Sequence, residues 1–467
     1  MADRSTSRGL VAACLAASLM PLNSTMIAVA VPDVSAELDH DPTTVTQALV
    51  TTYLVAAIAL QSPGGKLGDR LGQWRVLTLG QVVLGVGALL GFLAPTLVLL
   101  SVSRVLMAVG GALVVPAAVA LIRIALPPDR RGRAFGMFGA VMSLAAGIGP
   151  IVGGELVRFF GWESIFLANL PVLALSAVLA VGAPHGSRST SSTGFDWLGS
   201  VLLTAAVATG VLAVEATSST SATLLVLSVV LWLPFVVWER RTRDPVVAFE
   251  LFRGASFTAG TLLIALLNLV MYALLFEIPL VLETVFDLDA QHTGRLLVFM
   301  MLAMVATSML AGRLVDRVGA RLVALVGLLV CLVGTGLLLV GSLDAPDEVR
   351  LPLALLGVGL GLANPASQTA ALASVSREQS GMAAGIGSTI RYLGGIVGVA
   401  VLARVLDTSG AHSAVLAQHH TLLAIFVGVL VGGLLCIPFL PGADRALGQG
   451  EDVVSGRRAR RAGLRRR

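Results

Sequence analysis

Fourteen apolar stretches, each close to twenty residues long, run through this chain and limit what it can fold into. A helix of roughly that length crosses the ~30 Å hydrocarbon core of a bilayer, so each stretch predicts a transmembrane helix. Only 13% of the residues are charged, against roughly 25% in an ordinary soluble domain, which excludes a soluble protein. The stretches lie at about 9–32, 45–63, 76–95, 97–122, 134–157, 163–182, 197–215, 222–238, 256–282, 293–312, 320–341, 351–375, 381–405 and 421–441.

The basic residues indicate the orientation of these helices. Of the 32 lysines and arginines, 26 fall at the termini and in the even-numbered connections. The other connections hold four, namely Arg158, Arg295, Arg350 and Arg404. Basic residues accumulate on the cytoplasmic side of a membrane, so we expect both termini there. The arginines of the C-terminal tail are expected to lie on anionic lipid; nucleic-acid binding is the weaker alternative.

The N-terminus allows a second interpretation. Arg4 and Arg8 precede an apolar run that ends in Ala28-Val29-Ala30, which is similar to a signal-peptide cleavage site. Cleavage would leave thirteen helices and would put one end of the chain on the wrong side of the membrane. We therefore expect the first helix to be retained.

The cysteines predict neither a metal site nor a disulfide. Cys14, Cys331 and Cys436 lie in separate apolar stretches, far apart in the sequence. Their spacing matches no metal-binding or disulfide pattern, so we expect free thiols and no metal or other cofactor.

A charged motif occurs twice and indicates a duplication. Residues 65–72 read Gly-Lys-Leu-Gly-Asp-Arg-Leu-Gly, and residues 312–319 read Gly-Arg-Leu-Val-Asp-Arg-Val-Gly. The copies follow the second and the tenth stretch, as expected of two related six-helix bundles in a secondary transporter. We predict an N-terminal bundle at 1–182, a linker with two additional helices at 183–243, a C-terminal bundle at 244–441 and a basic cytoplasmic tail at 442–467.

Further motifs resemble those of one family. Besides residues 65–75, they are Arg104 with Gly110-Gly111-Ala112 and Pro116, residues 147–154 continuing through Gly161-Trp162 to Pro171, and residues 381–398 around Arg391. Over nearly its whole length the chain resembles the fourteen-helix drug:proton antiporter group of the major facilitator superfamily. The resemblance implies an all-α integral membrane protein of the bacterial cytoplasmic membrane. It would have two six-helix bundles, two extra central helices and an alternating-access mechanism.

The two motif copies are candidate gating elements. Because the copies match, we expect a short turn that pairs across the two bundles in one state and separates in the other; the alternative is a solvated turn. A stripe of small residues on the fifth helix predicts close packing and a rocking motion. The residues are Gly65, Asp69, Arg70, Gly72, Asp316 and Arg317 in the copies, and Gly149, Pro150 and Gly153 in the stripe.

Ionisable residues within the membrane are expensive, so each one marks a candidate proton-coupling site. In the family, the position of Arg104 is implicated in proton transfer; structural pairing is the alternative. Glu277 and Glu155 stand where the family has uncharged residues, and a desolvated Glu277 could carry a proton. Asn23 stands where the group normally has an aspartate. An amide cannot titrate, so any proton must be carried elsewhere, with Glu277 the first choice.

Polar and flexible side chains inside the membrane are candidate substrate ligands. Amides at that depth need a partner or a cavity, methionine suits an adaptable apolar pocket, and Arg391 could bind an anionic group or neutralise a carboxylate. The candidates are Asn23, Asn268, Tyr272, Met304, Asn364, Gln368 and Arg391.

The sequence thus predicts a proton-driven exporter of amphipathic or cationic small molecules. We expect a monomer in contact with membrane lipid, its substrate and protons, without a nucleic-acid partner. A dedicated exporter of one metabolite, antibiotic or lipid, without proton coupling, is the alternative that Asn23 favours. A membrane-embedded enzyme would need clustered carboxylates or histidines, and the sequence places them singly.

Overall fold

The computed structural model describes residues 2–181, 196–215, 218–242, 244–288, 290–341, 343, 345–406 and 411–442. Every regular element in this part of the chain is helical. Nearly all of the predicted basic tail, and the polar segment that precedes residue 196, lie outside the described residues.

The long apolar helices follow the predicted stretches closely. They are α1 Ala2–Met26, α2 Thr52–Leu71, α3 Gln73–Phe92, α4 Leu97–Ala125, α5 Pro128–Phe160, α6 Asn169–Ala180, α7 Trp197–Glu215, α8 Ser218–Glu239, α9 Ala255–Phe286, α10 Ala290–Val318, α11 Ala320–Val340, α12 Arg350–Ala373, α13 Ser380–Val405 and α14 His412–Gly433. Short helical segments such as Val31–Leu38 and Ser164–Leu167 join some of them.

Twelve of the described helices are long and apolar enough to cross a membrane. Two apolar stretches fall short of that length: Ser164–Ala180, which contains α6, and Trp197–Ala213, which lies within α7. Seventeen residues rise only about 26 Å, less than the ~30 Å core. Twelve spans are therefore supported by length and composition, and the predicted count of fourteen is not.

The two motif copies lie on helices rather than on turns. Asp69 lies in the last turn of α2, which ends at Leu71, and Asp316 lies in the last turn of α10, which ends at Val318. The reversal falls on the next residue, where Gly72 has φ 97° and Gly319 has φ 84°. Only glycine adopts such backbone angles without strain. We predicted the charged residues on the turn because only a short segment separates the two apolar stretches. The pattern did not show that the helix continues for one more turn, which carries the charges.

Two bundles pack against each other through matching helix pairs. Most buried apolar residues of the second bundle, on α9 to α14, form one cluster. Those of the first bundle form another, which α7, α8, the start of α9, the end of α12 and the start of α13 join. Across the interface α2 packs on α13 and α5 packs on α10. These pairs are equivalent under the duplication, because α2 and α10 carry the two motif copies. They position the candidate site.

Candidate functional site

The first motif copy contacts the other bundle through Asp69. One carboxylate oxygen of Asp69 accepts a hydrogen bond from the backbone N–H of Gly381 at 2.7 Å, and the other accepts one from Met382 at 2.7 Å. Gln73 donates to the same carboxylate at 2.8 Å. The first N–H groups of a helix have no partner within the helix, and the helix dipole favours a negative charge there. Asp69 thus caps α13 from the opposite bundle.

The second copy makes the equivalent contact in the other direction. Asp316 of α10 accepts hydrogen bonds from the backbone N–H groups of Gly132 at 2.8 Å and Arg133 at 2.9 Å. Both donors lie in the first turns of α5. We call the side of the molecule that carries Asp69 and Asp316 the basic face, and the two aspartate contacts the gate.

Glycines bring the helices of the gate together. A Cβ atom on Gly65 would overlap the carbonyl of Gly381, and one on Gly312 would lie 2.7 Å from the Cα of Arg133. Arg123 adds a third link, since its guanidinium donates to the carbonyls of Leu372 at 2.8 Å and Val375 at 2.6 Å. The two bundles are therefore in close contact on the basic face.

The remaining gating candidates lie outside these bonds. Arg70 and Arg317 are exposed, and a cavity of about 550 Å³ beside Asp316 is lined mostly by arginines. On α5, Gly149 and Gly153 pack against Thr25 and Met26 of α1, within one bundle. Pro150 is exposed. Gly149 and Gly153 thus join α5 to α1, whereas the tightest glycine contacts between α5 and the other bundle, at Gly132 and Gly136, lie towards its basic end.

Burial along α5 changes between its two ends. Seven of the thirteen residues from Pro128 to Ala140 are buried, whereas Ala145, Gly149 and Gly153 are the buried residues beyond them. Closure is thus concentrated at the basic face.

Arg104 lies fully buried in the first bundle. Its Nε donates to the carbonyl of Leu49 at 2.8 Å and its Nη2 donates to that of Asn23 at 3.2 Å. The guanidinium carbon lies 4.1 Å from the ring centre of Tyr53. Leu49 belongs to the π-helical segment Gln47–Thr51, and a π-helical turn displaces carbonyls from the regular ladder. Arg104 therefore ties an irregular backbone segment to α1.

The Asn23 side chain is occupied by a second amide. Its nitrogen donates to Oδ1 of Asn169 at 2.6 Å, and the Asn169 nitrogen donates back at 3.1 Å. Both side chains are 1% exposed. In this conformation Asn23 joins α1 to α6. Its contact with substrate remains a prediction.

Four of the predicted substrate ligands form two hydrogen-bonded pairs in the second bundle. Asn268 of α9 donates to Asn364 of α12 at 3.1 Å, and Arg391 of α13 donates to Gln368 of α12 at 2.8 Å. Asn364, Gln368 and Arg391 are half-buried. The pairs lie one helical turn apart on α12, and together they form a polar strip inside the membrane.

Tyrosines surround this strip. Tyr272 packs against Gly395, where an added Cβ would lie 2.7 Å from the ring. Tyr392 lies within electrostatic range of Tyr53, Tyr272 and Arg391. The chain has three tyrosines in all, and each lies beside one of its two membrane-embedded arginines.

Glu277 lies apart from the polar strip, against α14. Its Oε1 atom is 2.9 Å from Nδ1 of His419, and the two side chains are 0% and 1% exposed. The second carboxylate oxygen has no hydrogen-bond partner within the described part of the chain. A buried, partly unsatisfied acid beside an imidazole can take up and release a proton with little movement.

The other predicted residues lie at the margins of the site. Glu155 is exposed near the end of α5. Met304 is 5% exposed and belongs to the apolar core of the second bundle. The described residues include no group of three or more His, Cys, Asp or Glu side chains that could hold a metal ion.

Sequence reasoning missed several partners. Asn169, Tyr53 and His419 contact predicted residues, and Arg123 links the two bundles on the same face as the gate. Asn169 and Arg123 are polar residues within or beside apolar stretches, and the depth rule that selected Glu277 could have selected them. Nothing in the sequence indicated which residue each would contact.

Comparison with known proteins is consistent with this architecture. A family model described as Major Facilitator Superfamily matches residues 13–399. The uncharacterized MFS-type transporter YvkA of Bacillus subtilis (strain 168) is 32% identical over 438 residues, covering 93% of this chain and 96% of that protein. The puromycin resistance protein pur8 of Streptomyces alboniger is 31% identical over 452 residues, covering 93% and 88%. Other relatives carry the names of multidrug resistance proteins and, in one case, of a riboflavin transporter.

Among solved structures, the proton:xylose symporter XylE superposes with a TM-score of 0.69. The match covers 95% of this chain and 97% of the symporter at 14% identity. The superposition establishes a shared fold, and at this low sequence identity it shows nothing beyond the fold.

Proposed function

The chain belongs to the Major Facilitator Superfamily, and from this premise we propose that it exports amphipathic small molecules in exchange for protons by alternating access. The observation that carries the proposal is the gate. Asp69 and Asp316, equivalent residues of the two bundles, each accept two backbone hydrogen bonds from near the start of a helix of the opposite bundle. A contact repeated in this way holds one face closed and can be released as a unit when the bundles rock.

The orientation and the helix count belong to the same proposal. We take the basic face as cytoplasmic, with both termini on that side, because 26 of the 32 basic residues fall there by sequence. We assign all fourteen apolar helices to the membrane, as in the drug:proton antiporter group, with α7 and α8 as the two additional spans. The protein then acts as a monomer in a bacterial cytoplasmic membrane.

Glu277 and His419 are the proposed proton carriers. Export against a gradient requires a group that is loaded from one side of the membrane and unloaded on the other. Asn23 cannot serve, since it is an amide in contact with Asn169. The Glu277–His419 pair joins α9 to α14, so movement of either helix changes the distance between acid and imidazole and with it the preferred position of the proton.

A second candidate function is export by the same fold without proton coupling. Asn23 fills the position where the antiporter group carries an aspartate, and its amide is closed against a second amide. This observation favours a dedicated exporter of one metabolite, antibiotic or lipid, driven by the substrate gradient or by membrane potential.

Purified full-length protein in liposomes distinguishes the two functions. The vesicles carry an internal pH-sensitive dye and are given a panel of lipophilic cations, neutral antibiotics and organic anions. Antiport predicts that at least one compound moves protons and that an imposed pH gradient drives its accumulation. Transport that is indifferent to the gradient supports the uncoupled exporter, and the absence of any transport contradicts both functions.

A further inference from the structure

Among the described residues, no carboxylate pairs with the guanidinium of Arg391. It lies midway along α13, where its Nη2 donates to Gln368, and its Nε is buried without a hydrogen-bond partner among the described residues. Its other electrostatic neighbours are Tyr272 and Tyr392, which are neutral side chains. A cation at this depth is costly and is normally paired with an anion.

The buried and half-buried acidic side chains that were candidates for pairing with Arg391 have other partners. Glu277, on the neighbouring helix α9, is bonded to His419, and Asp69 and Asp316 are bonded to backbone N–H groups of the gate. Glu155 is exposed near the end of α5. The described residues therefore supply no carboxylate for Arg391. Arg104, which is fully buried and bonded to carbonyls, adds a second positive charge to the interior.

Open space lies beside α13 one turn before Arg391. Gly387 precedes Arg391 by four residues and so lies on the same face of α13. A Cβ atom on Gly387 would meet no heavy atom within 4 Å. Gly394 and Gly398, farther along the helix, are in contact with the backbone of α9. The packing thus opens at the turn before Arg391.

We propose that Arg391 and Gln368 form a binding site for the acidic group of the transported molecule. The acceptor oxygen of Gln368 fixes one edge of the guanidinium and leaves its remaining N–H donors for a carboxylate or a similar oxyanion, which arginine can bind with two parallel hydrogen bonds. Tyr272 and Tyr392 offer aromatic surface for the apolar body of the same molecule. This inference rests on the proposed transport function, and it specifies an acidic amphipathic substrate in place of the cationic one that the sequence analysis also allowed.

A matched pair of dyes tests the charge preference. Fluorescein is an anion and rhodamine 123 is a cation, and both have the same ring skeleton. Binding is measured by fluorescence anisotropy with the full chain in nanodiscs of neutral lipid. We expect tighter binding of fluorescein. Arg391→Gln should weaken it roughly tenfold or more, as expected for loss of a charge-assisted contact, without weakening rhodamine 123.

Two further variants separate charge from folding. Gln368→Glu keeps a side chain of the same length but places a carboxylate on the guanidinium, so it should also weaken fluorescein. Arg404→Gln removes an exposed arginine near the end of the same helix and should leave both affinities unchanged. The proposal is overturned if the wild type does not bind fluorescein, if it prefers rhodamine 123, or if Arg391→Gln binds fluorescein as tightly as the wild type.

Transport by the same protein in liposomes separates this inference from the proposed function. Binding of fluorescein that depends on Arg391, without transport of any compound, contradicts the export function and leaves the acidic site standing. Transport of other compounds by a protein without this binding contradicts the acidic site alone.

Discussion

Oε1 of Glu277 lies 2.9 Å from Nδ1 of His419, with both side chains closed off from solvent. The two residues are 142 positions apart and belong to different helices of the second bundle. In the proposed mechanism, a proton held by this buried pair leaves only when α9 and α14 move. The mechanism would thereby link the protonation of Glu277 to the arrangement of these two helices.

Glu277→Gln should abolish proton movement in liposomes while substrate binding remains measurable. The amide keeps the size and a hydrogen-bonding oxygen but cannot exchange a proton. The pH-dye signal that accompanies substrate transport should fall to the level of protein-free vesicles. Glu283→Gln, an exposed change on the same helix, is the control. A full proton signal in Glu277→Gln would rule out this residue as the carrier.

His419→Leu should lower the stability of the protein by about 2 kcal/mol, because it leaves a buried carboxyl group without its partner. The double variant Glu277→Gln with His419→Leu should recover part of this loss, since a neutral amide costs less to bury than an ionised carboxylate. Thermal unfolding in one detergent measures both effects. Equal unfolding temperatures for wild type and His419→Leu would mean that the bond contributes nothing to the fold.

Asp69→Asn and Asp316→Asn should each open the basic face. Each change removes the charge from a carboxylate that accepts two backbone hydrogen bonds from the other bundle, and a hydrogen bond to a charged group contributes about 1.5–3 kcal/mol. The population open at this face should rise about tenfold or more. Spin labels at the exposed positions Arg75 and Arg377 report the distance between the bundles.

Both gate variants should shift that distance in the same direction, because the two contacts are equivalent under the duplication. The control is Glu378→Gln, an exposed change on the same face. A shift in only one of the two variants would show that the second bundle does not use its copy as the first one does.

Arg104→Lys should lose both stability and transport. Lysine keeps the charge, but a single ammonium group does not reproduce the planar fork that reaches the carbonyls of Leu49 and Asn23 and stacks on Tyr53. We expect a lower unfolding temperature together with export at a small fraction of the wild-type rate. A wild-type unfolding temperature and a wild-type export rate in this variant would show that only the charge of Arg104 matters.

Gly72→Ala should destabilise the protein by about 1–2 kcal/mol through backbone strain alone, because φ is 97° and nothing lies within 4 Å of the added methyl group. Gly336→Ala on α11 is the matched control, since it also meets nothing within 4 Å but lies within a helix. It should be neutral or slightly stabilising. Equal effects of the two changes would contradict a strained turn at Gly72.

Much of the architecture could be read from local patterns. A long apolar stretch needs no distant partner to be recognised as a membrane helix, because the bilayer acts on every residue in the same way. The duplicated motif was visible because its residues are contiguous. The length of α6 was less secure, since the apolar pattern at 163–182 continues through the break between Ser164–Leu167 and Asn169–Ala180, whereas α7 has the predicted bounds.

The sequence by itself determined that this chain crosses a membrane many times, is built from two related halves and carries a small number of costly buried charges. Only the tertiary structure decided what those charges contact. Asp69 binds backbone N–H groups more than 300 positions away, and a backbone group leaves no signature in the side-chain sequence. Helix packing brings together the hydrogen-bonded pairs Asn23–Asn169, Glu277–His419 and Arg391–Gln368. Hydrogen bonds act over about 3 Å, and only packing sets distances on that scale.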